Sequence, residues 1–167
     1  MLCYLGLGAN LGERAHQLAQ AISALASHPQ VLLLRVSSVY ETAPLGYPSQ
    51  PDFLNMAILL EADCDPLTLL RYCQQVEERL GRVRSFPNAP RTMDIDLLAC
   101  GDIMLQSEEL TLPHPRLLER QFVVVPLAEI APELRIAGRG PLGGLAEPER
   151  PEIKLVGRLR EAVQGGL

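Results

Sequence analysis

Apolar positions recur along the chain with two periods. Leu2 to Leu7 form a short apolar run that predicts a buried strand, and Gly8-Ala9-Asn10-Leu11-Gly12 reads as a turn. From about Glu13 to Ser27, residues Ala15, Leu18, Ala19, Ile22, Leu25 and Ala26 fall at the three-and-four spacing of one helical face, and His28-Pro29 ends that helix. Val31 to Tyr40 is β-branched and aliphatic and predicts a strand. Thr42 to Pro51 holds three prolines and a glycine, which predict a loop. Phe53 to Glu61 is again strand-like. Asp65-Pro66 opens a second helix as N-cap and first helical residue, and Gly81 closes it after Leu80. Gly81 to Thr92 is polar, with two prolines and three arginines, and predicts a second long loop. Met93 to Cys100 reads as a strand, Gly101-Asp102 as a hairpin turn and Ile103 to Leu105 as its returning partner. Thr111 to Pro115 predicts a loop and Glu119 to Ile130 a helix. From Gly138 to Pro151 the chain is rich in Gly and Pro, with a short helix expected over Glu152 to Val163.

The order strand, helix, strand, strand, helix, strand predicts an α+β sandwich of ferredoxin-like type, a mainly antiparallel sheet with helices packed on it. We expect one catalytic domain over residues 1–167, with 138–167 as an irregular tail. At 167 residues, 47% hydrophobic and 21% charged, the chain can bury one proper core. No apolar stretch approaches the ~18 residues of a membrane helix, and the N-terminus lacks the basic and apolar regions of a secretion signal. A soluble cytoplasmic protein is expected, with no membrane partner. A net charge of −5 and 4% aromatic residues match poorly the basic, stacking surfaces that bind nucleic acid. The four cysteines form no C-x-x-C pair, so they are read as buried free thiols. The only lysine is Lys154, which excludes the phosphate-binding lysine of a P-loop; phosphate would have to be met by arginine and metal.

The sharpest chemical feature is Asp94-Ile95-Asp96. Side chains alternate along a strand, so both carboxylates face one side, roughly 6.5–7 Å apart, with Ile95 and Leu97 toward the core. Such a pair can hold Mg²⁺ together with phosphate oxygens and water. Taken alone, a D-x-D is more often the polar face of a half-solvated strand. Arg82, Arg84 and Arg91 stand just upstream, where guanidinium groups would suit a polyphosphate. Asn55 lies within a strand, where its amide needs a partner from the ligand or the backbone; most such residues are satisfied structural amides. Gln74 and Glu77 share one helical face, ordinarily a solvated one. His114, between two prolines, reads as an accessible loop histidine. Gly6-x-Gly8-x-x-x-Gly12 superficially matches a dinucleotide fingerprint, but the third glycine is one position late and no crossover helix separates the next two strands.

Taken in order, Gly8-Ala9-Asn10-Leu11-Gly12, Thr42-x-Pro44-Leu45-Gly46, Gln50-Pro51-x-Phe53-x-Asn55, Glu77, Gly81-Arg82-Val83-Arg84, Pro90-Arg91-Thr92-x-Asp94-Ile95-Asp96 and Leu112-Pro113-His114-Pro115 closely resemble the 6-hydroxymethyl-7,8-dihydropterin pyrophosphokinases of folate biosynthesis. The resemblance spans about Tyr4 to Pro132. It implies transfer of the β,γ-diphosphate of ATP to the pterin hydroxymethyl group with release of AMP. By that similarity Asp94 and Asp96 would bind two Mg²⁺ ions and act with Arg82 and Arg91 as the catalytic set. Phe53 and Phe122 would sandwich the pterin, with Asn55, Thr42 and Leu45 reading its edge. Gln74, Glu77, Arg84, Thr111, His114 and Arg120 would contact ATP, and Thr42–Pro51 and Gly81–Pro90 would be the family's mobile lids. The partners implied are ATP and a pterin, met by a monomer. Three positions depart from the pattern: Asn88-Ala89 where the family commonly has Trp-Gly, Glu109 where an arginine can stand, and Pro115 in place of an aromatic. The rival reading is a non-catalytic small-ligand-binding domain of the same fold.

Overall fold

A computed structural model of the chain describes residues 1–43, 51–81 and 93–167. The first strand, β1 (Leu2–Ala9), alternates its side chains between two apolar layers. Cys3, Leu5, Leu7 and Ala9 enter a core with α1 (Arg14–Ala26) and α2 (Pro66–Arg79), while Tyr4 packs in a second core on the opposite face. The strand therefore runs two residues into the predicted turn, and Gly8 lies inside it. The start of α2 is as predicted: the Asp65 side chain accepts the Thr68 N–H at 2.8 Å, satisfying an amide that the first helical turn leaves orphaned.

The run Val31–Tyr40 is two strands, β2 (Val31–Val36) and β3 (Val39–Thr42), which pair with successive halves of β4 (Phe53–Ala62). Ser37, fully buried, makes the break. Its N–H donates to Ala57 O at 2.9 Å, but its hydroxyl oxygen accepts the Ala57 N–H at 2.8 Å, so a side chain substitutes for a ladder carbonyl. On the other side of the sheet β5 (Asp94–Cys100) pairs with β1. The main order is β5-β1-β4-β3, every pair antiparallel, as a ferredoxin-like sandwich requires. The dinucleotide reading fails, since β1 has no parallel neighbour.

Four expectations are corrected downstream. Ile103 does not return beside β5: β6 (Leu105–Gln106) pairs with β7 (Thr111–Leu112) as a separate hairpin. The outer edge of β5 is taken instead by the Glu77 carboxylate, which accepts the Ile95 N–H, and by His114, whose N–H donates to Leu98 O at 2.7 Å. Thr111-Leu112 is thus a strand rather than loop. The tail is not irregular throughout, nor does one helix span 152–163. It forms β8 (Ile153–Gly157) on the open edge of β3 and α4 (Leu159–Gln164) against α1. An unpaired strand edge is a ready template for a β-branched segment, and Ile153-Lys154-Leu155-Val156 supplies one.

The second sheet face is covered by α3 (Gln121–Ile130), preceded by a short 3₁₀ turn over Leu117–Glu119. Its Val123, Val124, Val125, Leu127, Ala128 and Ile130 are all buried, and a helix apolar on every side must be covered on every side. Glu129 fixes it to β3, accepting the Ser38 N–H at 2.8 Å and the Tyr40 hydroxyl at 2.6 Å. Burial, and then the Glu129 carboxylate, push the Tyr40 phenol well above its usual range. Cys3, Cys73 and Cys100 are buried thiols as expected, and Cys64 is half-buried. No helix among the described residues is long and apolar enough to cross a membrane.

Replacing Ser37 with Ala strands the Ala57 N–H away from water. The expected loss is about 1–3 kcal/mol of unfolding free energy, measured by urea denaturation.

Candidate active site

Helix α3 stops short of one end of the sheet, and the uncovered end forms a cleft. Register decides what lines it. Asn55 on β4, Gly8 on β1 and Asp94 on β5 are direct cross-strand partners, and the adjacent row on the same face is Ala57, Gly6 and Asp96. Thr42 on β3 is partnered with Phe53 on β4. Gly6, Gly8, Thr42, Phe53, Asn55, Asp94 and Asp96 therefore share the cleft, joined from the start of α3 by Arg120 and Phe122. Between two polar rows the glycines leave a bare floor. A Cβ at Gly8 would sit 2.7 Å from Asn55 Oδ1, whereas one at Gly6 would meet only the Leu98 side chain at 3.5 Å.

Asn55 and Thr42, 8% and 3% exposed, satisfy one another in part: Asn55 Nδ2 donates to Thr42 Oγ1 at 2.6 Å. Buried polar groups need such partners, and this pair still presents amide and hydroxyl groups at the cleft wall. The partly exposed Phe53 and Phe122 line the same cleft, with the Arg120 guanidinium 5.7 Å from the Phe122 ring centroid.

The half-buried carboxylates of Asp94 and Asp96 stand on the cleft face of β5. Beneath them Glu77, only 4% exposed, accepts the N–H of the intervening Ile95 at 2.8 Å. A buried hydrogen bond of this kind is costly to break, so α2 holds the peptide that spaces the two aspartates. An extra residue, Leu98, bulges β5 between the partners of Tyr4 and Leu5, and bulges of this kind re-aim side chains beside functional sites. His114 is half-buried on the outer edge of β5. Its Nδ1 accepts the Arg116 N–H at 3.2 Å, which leaves Nε2 to carry the proton of the neutral ring. Burial, then the Arg120 and Arg116 charges, push its pKa below the usual 6.5, against the pull of Asp94. Carboxylates and a guanidinium thus surround one opening beside an aromatic slot, with the His114 ring in the neighbouring groove.

A family model described as 7,8-dihydro-6-hydroxymethylpterin-pyrophosphokinase (HPPK) matches residues 4–132. The chain belongs to this family. The 2-amino-4-hydroxy-6-hydroxymethyldihydropteridine pyrophosphokinase of Bacillus subtilis is 44% identical over 133 residues, 80% of each chain. Its counterpart in Methylorubrum extorquens is 42% identical over 153 residues, 92% of this chain and 97% of its own. Among solved structures, a Plasmodium falciparum HPPK-DHPS variant superposes with a TM-score of 0.70 at 14% identity, over 92% of this chain and 48% of that one. That likeness shows the fold, and this chain spans less than half of the HPPK-DHPS length.

With the HPPK family in view, the residues singled out from the sequence divide into three groups. Thr42, Phe53, Asn55, Asp94, Asp96, Arg120 and Phe122 meet in the cleft. Thr111 and His114 line the neighbouring groove, Gln74 is exposed on α2, and Glu77 is buried under β5 rather than sharing a solvated face with Gln74. Leu45, Arg82, Arg84 and Arg91, with most of both predicted lid segments, lie outside the described residues. Sequence reasoning missed Gly6 and Gly8 as the cleft floor. The signal was present, because two glycines two apart in a strand must fall on one face, opposite Leu5 and Leu7.

Gly8→Ala is expected to displace the Asn55 amide and weaken acceptor binding by at least about tenfold, while Gly6→Ala leaves Asn55 in place; the steric contrast follows from core over-packing and is read by titrating each variant with a fluorescent pterin. Because folding depresses the His114 pKa, the unfolded chain takes up this proton first as the pH falls below about 6.5. Stability is accordingly lost with acid across that window. A His114→Asn chain should show a flatter dependence of melting temperature on pH between about 7 and 5.

Proposed function

We propose that this chain transfers the β,γ-diphosphate of ATP to the hydroxymethyl oxygen of 6-hydroxymethyl-7,8-dihydropterin, giving AMP and the pterin diphosphate, a step of tetrahydrofolate synthesis. ATP is the co-substrate. The observation that carries this reading is one cleft in which the Asp94–Asp96 pair stands beside a slot flanked by Phe53 and Phe122 and walled by Thr42 and Asn55.

Phe53 and Phe122 stack on the two faces of the pterin, a flat heterocycle suited to aromatic contact. Thr42, Asn55 and the backbone near Leu45 meet the donors and acceptors on its edge. The resemblance assigns Gln74, Glu77, Arg84, Thr111, His114 and Arg120 to ATP; a neutral His114 offers its Nε2–H to a phosphate oxygen, and Arg120 adds charge from the start of α3. Arg82 and Arg91 complete the catalytic set with the two aspartates.

The aspartates fit Mg²⁺. They are hard oxygen donors on one face, and no group of three metal-ligating side chains occurs among the described residues, which suits an ion that keeps water and takes phosphate as its remaining ligands. Bound there, two Mg²⁺ ions would neutralise and orient the triphosphate. In the transfer, the hydroxymethyl oxygen bonds to the β-phosphorus as the bond from that phosphorus to the bridging α,β-oxygen breaks. AMP leaves with the bridging oxygen, and the hydroxyl proton is released. Such transfer needs positioning and charge stabilisation rather than a protein nucleophile. The proposal extends to a cytoplasmic monomer with one catalytic domain over residues 1–167 and no nucleic-acid partner.

Incubation with Mg-ATP and the hydroxymethyl dihydropterin should yield AMP; ADP would indicate ordinary kinase chemistry, and no turnover a binding domain. Asp96→Ala should lower AMP formation at least about a hundredfold with the melting temperature nearly unchanged, and chelation of divalent ions should do the same to the parent chain.

A further inference from the structure

The turn between β1 and α1 grips the acceptor side of the cleft from behind. Asn10, 1% exposed, donates Nδ2 to Pro51 O at 3.2 Å. Arg14, the first residue of α1, uses a single terminal nitrogen twice: it donates to Glu41 Oε2 at 2.8 Å and to Asp52 O at 2.8 Å. Its side chain is only 16% exposed. Glu41 immediately precedes Thr42 and Asp52 immediately precedes Phe53, and Thr42 and Phe53 are cross-strand partners. Glu41 itself is partnered with Leu54, whose side chain lies in the core under α1. The Glu41 carboxylate thus drops to the face opposite the cleft, where Arg14 meets it.

We propose that Arg14, supported by Asn10, is a positioning residue for the acceptor subsite, an inference that rests on the pterin reading above. One guanidinium joins the end of β3 to the start of β4, and so sets the separation of the Thr42 and Phe53 backbones. That separation fixes the Thr42–Asn55 hydrogen bond and the placement of the Phe53 ring. An exposed ion pair would do little here. This pair is partly shielded from water, is charge-assisted, and shares its nitrogen with a main-chain carbonyl; a planar guanidinium is pre-organised and loses less entropy per hydrogen bond than a flexible ammonium. Misplacement of binding groups by about 1 Å can cost as much as ~10²-fold. The contacts reach the residues around Thr42 and Phe53 and none of those on β5, so the effect belongs to the acceptor and not to the nucleotide.

The test compares Arg14→Met and Arg14→Lys with the parent full-length chain, measuring KM for the hydroxymethyl dihydropterin, KM for Mg-ATP, and kcat for AMP release. Arg14→Met should raise the pterin KM on the order of tenfold, with the Mg-ATP KM and kcat within about twofold. Arg14→Lys, keeping the charge but not the pre-organised planar group, should fall between. A pterin KM within about twofold of the parent, or an equal rise in both KM values, overturns the proposal. Should Arg14→Met fail to fold, Glu41→Gln carries the same decision: a selective rise in pterin KM supports the positioning role, and no rise overturns it. A parent chain that makes no AMP overturns the enzymatic reading and this inference with it; an active parent with indifferent variants overturns the inference alone.

Discussion

The cross-strand row Asn55, Gly8 and Asp94 is the constraint on which the rest of the site depends. It puts an amide, a bare strip of backbone and a carboxylate side by side on one sheet face, with the central position so close to Asn55 that a side chain there would displace its amide. A slip of one residue in either pairing would send Asn55 or Asp94 into the α1–α2 core. The apolar residues between them prevent this, since Leu5, Leu7, Leu54, Met56, Ile95 and Leu97 all belong to that core. The hydrophobic side of the sheet thereby fixes the chemistry of the other side.

That second side is only partly covered. Helix α3 buries nearly all of its surface against β4 and the segments that follow it, and Glu129 ties it to Ser38 and Tyr40. Covering stops at Arg120 and Phe122, where the cleft begins. The C-terminal segment adds β8 to the open edge of β3, the strand that ends in Thr42. Buried hydrogen bonds at the far edge, from Ile95 to Glu77 and from His114 to Leu98, do the same for β5. Each strand that brings a polar side chain to the cleft is thus held on both edges, which is how a site built on sheet ends keeps its geometry without ligand.

Much of this was legible along the chain. The helical spacing of α1, the Asp65-Pro66 start of α2, and the alternation that sets Asp94 and Asp96 on one face are local properties, written in periodicity and capping chemistry. The break at Ser37 was not legible, because a serine inside a β-branched run reads as strand until its hydroxyl finds the Ala57 amide. Nor was β8, whose partner lies over a hundred residues upstream. Glu77 looked like a solvated helix residue, since neither its burial nor its bond to Ile95 has a local signature.

By itself, then, the sequence determined most of the elements before residue 100, their antiparallel α+β arrangement, and the residues whose order matches the HPPK family, because periodicity, caps and motif order act over a few residues at a time. Tertiary structure decided which of those residues meet: that two glycines floor a cleft, that Arg14 reaches both ends of the 43–52 segment, and that Glu77 supports the aspartates from beneath. Those facts depend on strand register and helix docking, where contacts between residues far apart in the chain compete for the same edges and faces, and no local pattern records which of them wins.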